Sequence, residues 1–330
     1  VTTVATDAAV RLLTELLGTR VRRDVPLAPM TTYRVGGAAA MFVDVAALED
    51  LEAIAAVRAE TGVPVLVVGR GSNMLVADAG FPGIALSIAD FADHIVIPDD
   101  LGDAAEHVVT AGGGVALPIL ARRTAARSLR GFEWAVGVPG SVGGAVRMNA
   151  GGHGSDMAAS LVDVDVFDMN APDRGVQTLP AERIGLRFRA SDLAPSQIVH
   201  EARLRLVVGD RAAAEDEIAE IVRWRREHQP GGQNCGSVFV NPVPGEVTAG
   251  GLIDGLGLRG FAIGSACVSE KHANFVQASD GGRAGDVRAV IEHVRAVVAR
   301  ETGYQLRSEV RLVGFDDADP LSFDDGGLVV

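Results

Sequence analysis

Residues 131–154 read GFEWAVGVPGSVGGAVRMNAGGHG, an aromatic patch running into a chain of glycines and other small residues. Such residues in succession let backbone N–H groups turn toward one anion or one flat ring without side-chain interference. A second stretch of this kind, GRGSNML at 69–75, follows an apolar run at 65–68 that reads as a buried strand. Two such stretches point to a large cofactor held along its length. Neither has the GxGxxG or GxxxxGK[ST] spacing of the common nucleotide motifs, so the ordinary Rossmann and P-loop readings do not apply.

The rest of the composition bounds the function classes. A chain of 330 residues supports two or three domains. Its formal net charge of −13 argues against a general nucleic-acid surface, which needs a basic field. A local arginine cluster could still take an anionic small molecule. Two cysteines, Cys235 and Cys267, make no disulfide framework and lack metal-ligand spacing, so no metal is expected. The first residues show no basic-then-apolar leader pattern, and no apolar run approaches a membrane span. A cytoplasmic enzyme without membrane insertion is the expectation.

Periodicity predicts helices over 7–17, 48–61, 117–130, 212–228, 249–256 and 286–302. Strands are expected at 38–45, 63–68, 83–88, 94–97, 107–111, 161–168, 198–208, 235–240 and 309–313, with 21–32 irregular. Gly62 stands where a helix C-cap belongs, and a helix between strands in the first unit suggests parallel pairing there. The acidic tail from 316 reads as loop. Composition changes at 209–210, where a third unit is expected to begin.

Seven stretches taken together carry a resemblance: TTYRVGG (31–37), GRGSNML (69–75), residues 131–154, NCGSVFVNP (234–242), GLIDGLGLRG (251–260), SEKHANFV (269–276) and SEVRLVG (308–314). In this order, from Arg22 to Gly314, the chain resembles the UDP-N-acetylenolpyruvoylglucosamine reductase family of peptidoglycan synthesis. The short spacing between 181–193 and Cys235 is similar to the subclass lacking a substrate-capping tyrosine loop. The resemblance implies an α+β, three-domain flavoenzyme with an FAD-binding fold of the vanillyl-alcohol-oxidase type, not Rossmann, plus an α+β substrate domain. The implied units are 1–90, joined by 308–330, then 91–209 and 210–307. FAD would be bound non-covalently, NADPH would reduce it, and the sugar nucleotide would accept the hydride at its enolpyruvyl group. A monomer is expected.

Carried over residue by residue, the resemblance implies Ser237 as proton donor to the substrate α-carbon. A hydroxyl can serve if neighbours stabilise the alkoxide it leaves. Arg189, in Phe188-Arg189-Ala190-Ser191, would grip the substrate carboxylate with two parallel donors; Phe188 stands where the family usually has tyrosine. Glu309 would assist, and beside a substrate carboxylate it would tend to keep its proton. Its role requires the last part of the chain to return to the site. Arg225, His228 (in place of the usual lysine), Asn241, Lys271 and His272 are expected substrate contacts. For FAD the expected residues are Tyr33, Arg34, Gly69, Arg70, Gly71, Ser72, Asn73 and Met74. The long stretch adds Gly137, Val138, Pro139, Gly140, Ser141, Gly143, Gly144, Ala145, Asn149 and Gly154. Cys235 reads as buried filler and Met148, Met157 and Met169 as core. The rival readings are another FAD oxidase or dehydrogenase on this fold, with His153 as the nearest possible flavin tether, and a non-catalytic nucleotide-binding module.

Overall fold

The computed structural model describes residues 3–315, and the acidic tail lies outside them. Four buried clusters make up the interior of the described residues, and three of them, met in chain order, frame the site. The first lies under a four-stranded sheet ordered Val21–Pro26, Ala38–Asp44, Phe81–Ser87, Val65–Val67. Its first pair is antiparallel and the other two are parallel. The helix Leu48–Thr61 connects two of the parallel strands and packs with Thr3–Leu17, burying Leu13, Leu51, Ile54 and Leu86. It begins where buried Asp50 accepts the N–H groups of Ala46 and Ala47. It ends at Gly62, which takes the left-handed conformation (φ 69°) that glycine adopts without a Cβ clash. Residues 21–26, expected to be irregular, form the antiparallel edge strand. Pro26, which has no N–H, ends it at the edge of the sheet.

The second core lies under an antiparallel sheet in which the long strand Gln197–Val208 sits between Leu161–Asp168 and Glu106–Gly112. The helix Leu117–Ala126 covers it, stopping earlier than expected because the chain turns at Ser128 (φ 60°) into the short strand Leu129–Arg130. The helix Arg211–His228 buries Ala214, Ile218 and Ile221 in this same core, beside Trp134. The composition change at 209–210 therefore marks no change of core.

In the third core a short sheet, Ala262–Ile263, Ala266–Val268 and Val276–Ala278, packs under the helices Ala249–Gly255 and Ala284–Thr302. Asp78 of the first unit accepts the N–H groups of Ala284 and Gly285, fixing the long helix to that unit. The chain then crosses back. Arg311–Val313 pairs in parallel with Met74–Val76, the strand that leaves the first glycine-rich loop. Among the described residues no helix is long and apolar enough to cross a membrane.

Candidate active site

Both glycine-rich stretches open on one cavity of about 1170 Å³. Drug-sized ligands occupy roughly 300–1,000 Å³, so this one has room for more than a single small molecule. Seven arginines (70, 147, 187, 189, 225, 307 and 311) line it against two carboxylates, Asp192 and Glu309. In a chain of net charge −13, that concentration of cations on one concave wall favours an anionic ligand.

The first loop is shaped by packing. Gly71 has φ 56°, and a Cβ there would come within 2.1 Å of the Met30 carbonyl oxygen. Among the described residues, the backbone N–H groups of 69–73 donate to no protein group. Consecutive unspent amides beside a cavity form a nest suited to a phosphate. The second stretch behaves differently. Val142 and Gly143 spend their amides on Val115 and Gly113 carbonyls at 2.9 and 2.8 Å, and Leu117 donates to Gly140. This pins residues 140–143 as a rigid wall. Gly144 then presents a bare face: a Cβ there would meet only Ser141 Oγ, at 3.5 Å. Protein packing does not require glycine at 144, which leaves room for a flat occupant against the wall. Open amides at one end and a flat, side-chain-free wall at the other suit the diphosphate and ring system of FAD.

Three chemically distinct groups reach the cavity from separate parts of the chain: Ser237, Arg189 and Glu309. Arg189 sits in a tight turn closed by reciprocal 3.0 Å hydrogen bonds between Arg187 and Ala190, with φ 56°. A non-glycine residue held there costs about 1–3 kcal/mol, and the turn is kept in place where Ser191 Oγ donates to the Arg147 carbonyl at 2.8 Å. Arg189 Nη1 donates to the Gly151 carbonyl at 3.0 Å. Its Nε lies 3.0 Å from Glu309 Oε2, a charge contact whose N–H direction falls short of a hydrogen bond. Burial raises the Glu309 carboxyl above the usual range, against the opposing pull of Arg189 and Arg307. Ser237 lines the cavity, and no described residue takes up its hydroxyl.

Several expected contacts fall elsewhere. Tyr33 is fully buried in the third core, and its hydroxyl faces Cys235; Arg34 beside it does not line the cavity. Cys235 does line it, with its thiol pushed up to about 12, chiefly by burial. Gly137 does not line the cavity; a Cβ there would come within 3.3 Å of the Arg225 and His153 side chains. Asn149 braces the turn from inside, bonding Asp156, the Arg187 carbonyl and the Ala158 N–H, and Gly154 supplies a positive φ at an exposed position. His228 stacks on Trp224 with centroids 4.6 Å apart. Asn241 accepts from the Ala249 N–H, Lys271 donates to the Arg226 carbonyl, and His272 packs edge-on to Phe275. These four do not line the cavity; Arg225 does, with Arg70, Gly69, Ser72, Asn73, Met74, Val138, Pro139 and Ala145. Met157 and Met169 are core, but Met148 lines the cavity and contacts Arg311. Phe188 is 62% exposed, its ring 5.4 Å from the Arg189 guanidinium.

Sequence reasoning missed Arg147, Trp224, Arg307 and Arg311. Two of them had a readable signal. Residues 307, 309 and 311 alternate along an extended segment, so one face presents arginine, glutamate and arginine together.

A basic cleft with open amides, a bare wall and a serine, arginine and carboxyl at its side suits a flavin-dependent oxidoreductase. Residues 39–171 match an FAD-binding domain, of the vanillyl-alcohol-oxidase type, and residues 228–313 match the C-terminal domain of UDP-N-acetylenolpyruvoylglucosamine reductase. The chain is 42% identical to the UDP-N-acetylenolpyruvoylglucosamine reductase of Heliobacterium modesticaldum, over 88% of this chain and 89% of that one. It is 38% identical to that of a Synechococcus strain, over 90% and 94%. The solved reductase of Thermus caldophilus superposes with a TM-score of 0.74 at 34% identity, covering 89% of this chain and 99% of that one. The chain belongs to the UDP-N-acetylenolpyruvoylglucosamine reductase family, and it is an FAD-dependent reductase.

Proposed function

We propose that the chain reduces the enolpyruvyl group of UDP-N-acetylglucosamine enolpyruvate to give UDP-N-acetylmuramate, with NADPH as reductant and with Ser237, Arg189 and Glu309 performing the substrate chemistry. The convergence of these three residues on one wall of a single basic cavity supports the reading. FAD, when bound, would supply the hydride that adds at the substrate's β-carbon, with NADPH as its source. Addition there pushes negative charge toward the carboxylate. Arg189 meets that charge with a guanidinium already fixed by Gly151, so little reorganisation is needed as it develops. Ser237 Oγ–H delivers the proton to the α-carbon. Glu309, whose acidity is weakened by burial, keeps a proton close to the carboxylate and can return it to the serine oxygen.

The amides of 69–73 would hold the FAD diphosphate, and residues 138–145 would back its rings. Arg225 and Arg307 serve the phosphates of the nucleotide ligands. All catalytic groups come from one chain, consistent with a working monomer. The test is anaerobic: reduce the yellow protein with NADPH, then add the sugar nucleotide and follow the return of flavin absorbance. Ser237→Ala should leave bleaching by NADPH intact and slow recolouring by on the order of 10²–10⁴-fold, the usual contribution of a positioned acid. Recolouring at the wild-type rate would remove Ser237 from this role. An oxidase of another substrate would bleach with that substrate instead.

A further inference from the structure

In the stretch SEKHANFV, Lys271 is turned to the Arg226 carbonyl and His272 to Phe275. What it contributes to the site is Asn274. This residue is 5% exposed, and its amide engages both backbone groups of Phe239. Phe239 N–H donates to Asn274 Oδ1 at 2.9 Å, and Asn274 Nδ2 donates to the Phe239 carbonyl at 2.8 Å. The Asn274 carbonyl also accepts from the Val238 N–H at 2.8 Å. One side chain thus imitates a neighbouring strand.

That matters because residues 235–240, expected to be a strand, join no multi-residue ladder. On the other flank they meet the catalytic segment: Glu309 N–H donates to the Val238 carbonyl at 2.7 Å, and Val240 N–H to the Arg307 carbonyl at 3.0 Å. Glu309 in turn is tied to the flavin loop, its carbonyl accepting from Asn73 Nδ2 at 2.7 Å. A continuous row of hydrogen bonds therefore runs from the flavin loop through Glu309 and the Ser237 segment to Asn274. Removing the amide would leave a buried peptide N–H and C=O unpaired two residues from the proton donor.

We propose that Asn274 is a positioning residue for proton delivery. By holding the Phe239 peptide, it fixes Ser237 in register with Glu309. The proposal rests on the reading of Ser237 as proton donor. It acts on the step in which the sugar nucleotide is reduced and not on the reduction of flavin by NADPH.

The experiment measures the two half-reactions separately by anaerobic stopped flow, on the FAD-loaded full chain, for wild type, Asn274→Ala and Asn274→Asp. Misplacement by about 1 Å can cost on the order of 10²-fold. Asn274→Ala should therefore slow flavin reoxidation by the sugar nucleotide roughly 10- to 100-fold and change NADPH-driven bleaching less than about twofold. Asn274→Asp carries a second readout. Ionised, it accepts from the Phe239 N–H but repels the Phe239 carbonyl; protonated, it donates as the amide does. Burial raises the pKa of such a carboxyl, so the reoxidation rate of Asn274→Asp relative to wild type should climb as pH falls. The other titrating groups nearby, His272, whose Nδ1 accepts the Asn274 N–H, and Glu309, are common to both proteins and cancel in that ratio. Equal slowing of both half-reactions, or a pH-independent ratio, would overturn the proposal. If Asn274→Ala fails to retain FAD, the Asn274→Asp ratio decides alone. A wild-type protein that the sugar nucleotide does not reoxidise would overturn the reading of Ser237 first. An active wild type matched by both variants would overturn the role of Asn274 alone.

Discussion

Gly144→Ala separates what the fold needs from what the cofactor needs. Gly144 lies within the helix Val142–Arg147, where alanine is favoured over glycine by about 0.5–1 kcal/mol. The added methyl would meet only Ser141 Oγ, at 3.5 Å, an ordinary contact. The ligand-free protein should therefore unfold at the same or a slightly higher temperature. The same methyl projects from the wall against which the flavin is proposed to lie. Forcing one extra carbon into a packed contact costs roughly 1–3 kcal/mol, which weakens FAD binding about 5- to 150-fold. Apoprotein melting gives the first number, and titration of apoprotein with FAD, followed by quenching of flavin fluorescence, gives the second. FAD affinity within twofold of wild type, in a protein at least as stable, would show that the Gly144 face is not in contact with the cofactor.

Arg189→Lys keeps a positive charge and the same backbone demands but loses the planar fork. Reoxidation by the sugar nucleotide should slow on the order of 10²-fold with NADPH bleaching little changed, and equal rates would show that no paired grip is made. Glu309→Gln tests the carboxyl through stability. Its pKa is raised in the folded protein above the ordinary 4.5, chiefly by burial, so the native state binds its proton more tightly than the unfolded chain. Glu309 is therefore neutral at little cost at low pH and destabilises the fold as pH rises from about 4.5 through its folded value. Glu309→Gln should melt higher than wild type at neutral pH, lose that advantage below about pH 4, and be impaired in sugar-nucleotide reduction. A neutral-pH melting point below that of wild type would mean that the Arg189 contact outweighs the burial.

Local pattern made much of this fold legible. The helix Leu48–Thr61 and its Gly62 cap follow from periodicity and one backbone-permissive residue. The two glycine-rich loops could be expected to share one ligand site because chains of small residues have few other uses, and both line the same cavity. The failures share a cause. Tyr33 lay in a motif with the right neighbours, but the fold turns its ring into the third core, and nothing local records which way a side chain faces across a unit boundary. Residues 235–240 read as a strand because their alternation is real, yet an asparagine side chain, 35 positions away along the chain, takes the partner strand's place. Lys271 and His272 looked like phosphate contacts by type; Lys271 is instead spent on a backbone carbonyl. Arg307 and Arg311 were readable by alternation with Glu309, whereas Arg147 and Trp224 depend on tertiary packing that no spacing encodes.

The parallel pairing of Arg311–Val313 with Met74–Val76, reinforced by Asn73 across 236 positions, sets an order of assembly during synthesis. Residues 69–75 leave the ribosome early, but their partner strand follows only after nearly the whole described chain has been made. Until then the strand at 74–76 has an open edge, and the site lacks its glutamate. Contacts this distant in sequence form late and slowly, and bound cofactor stabilises only the state that holds it. Glu309 and the bond that braces the flavin loop at Asn73 thus arrive together, so the acid machinery is completed by the same late pairing that closes the open edge at 74–76.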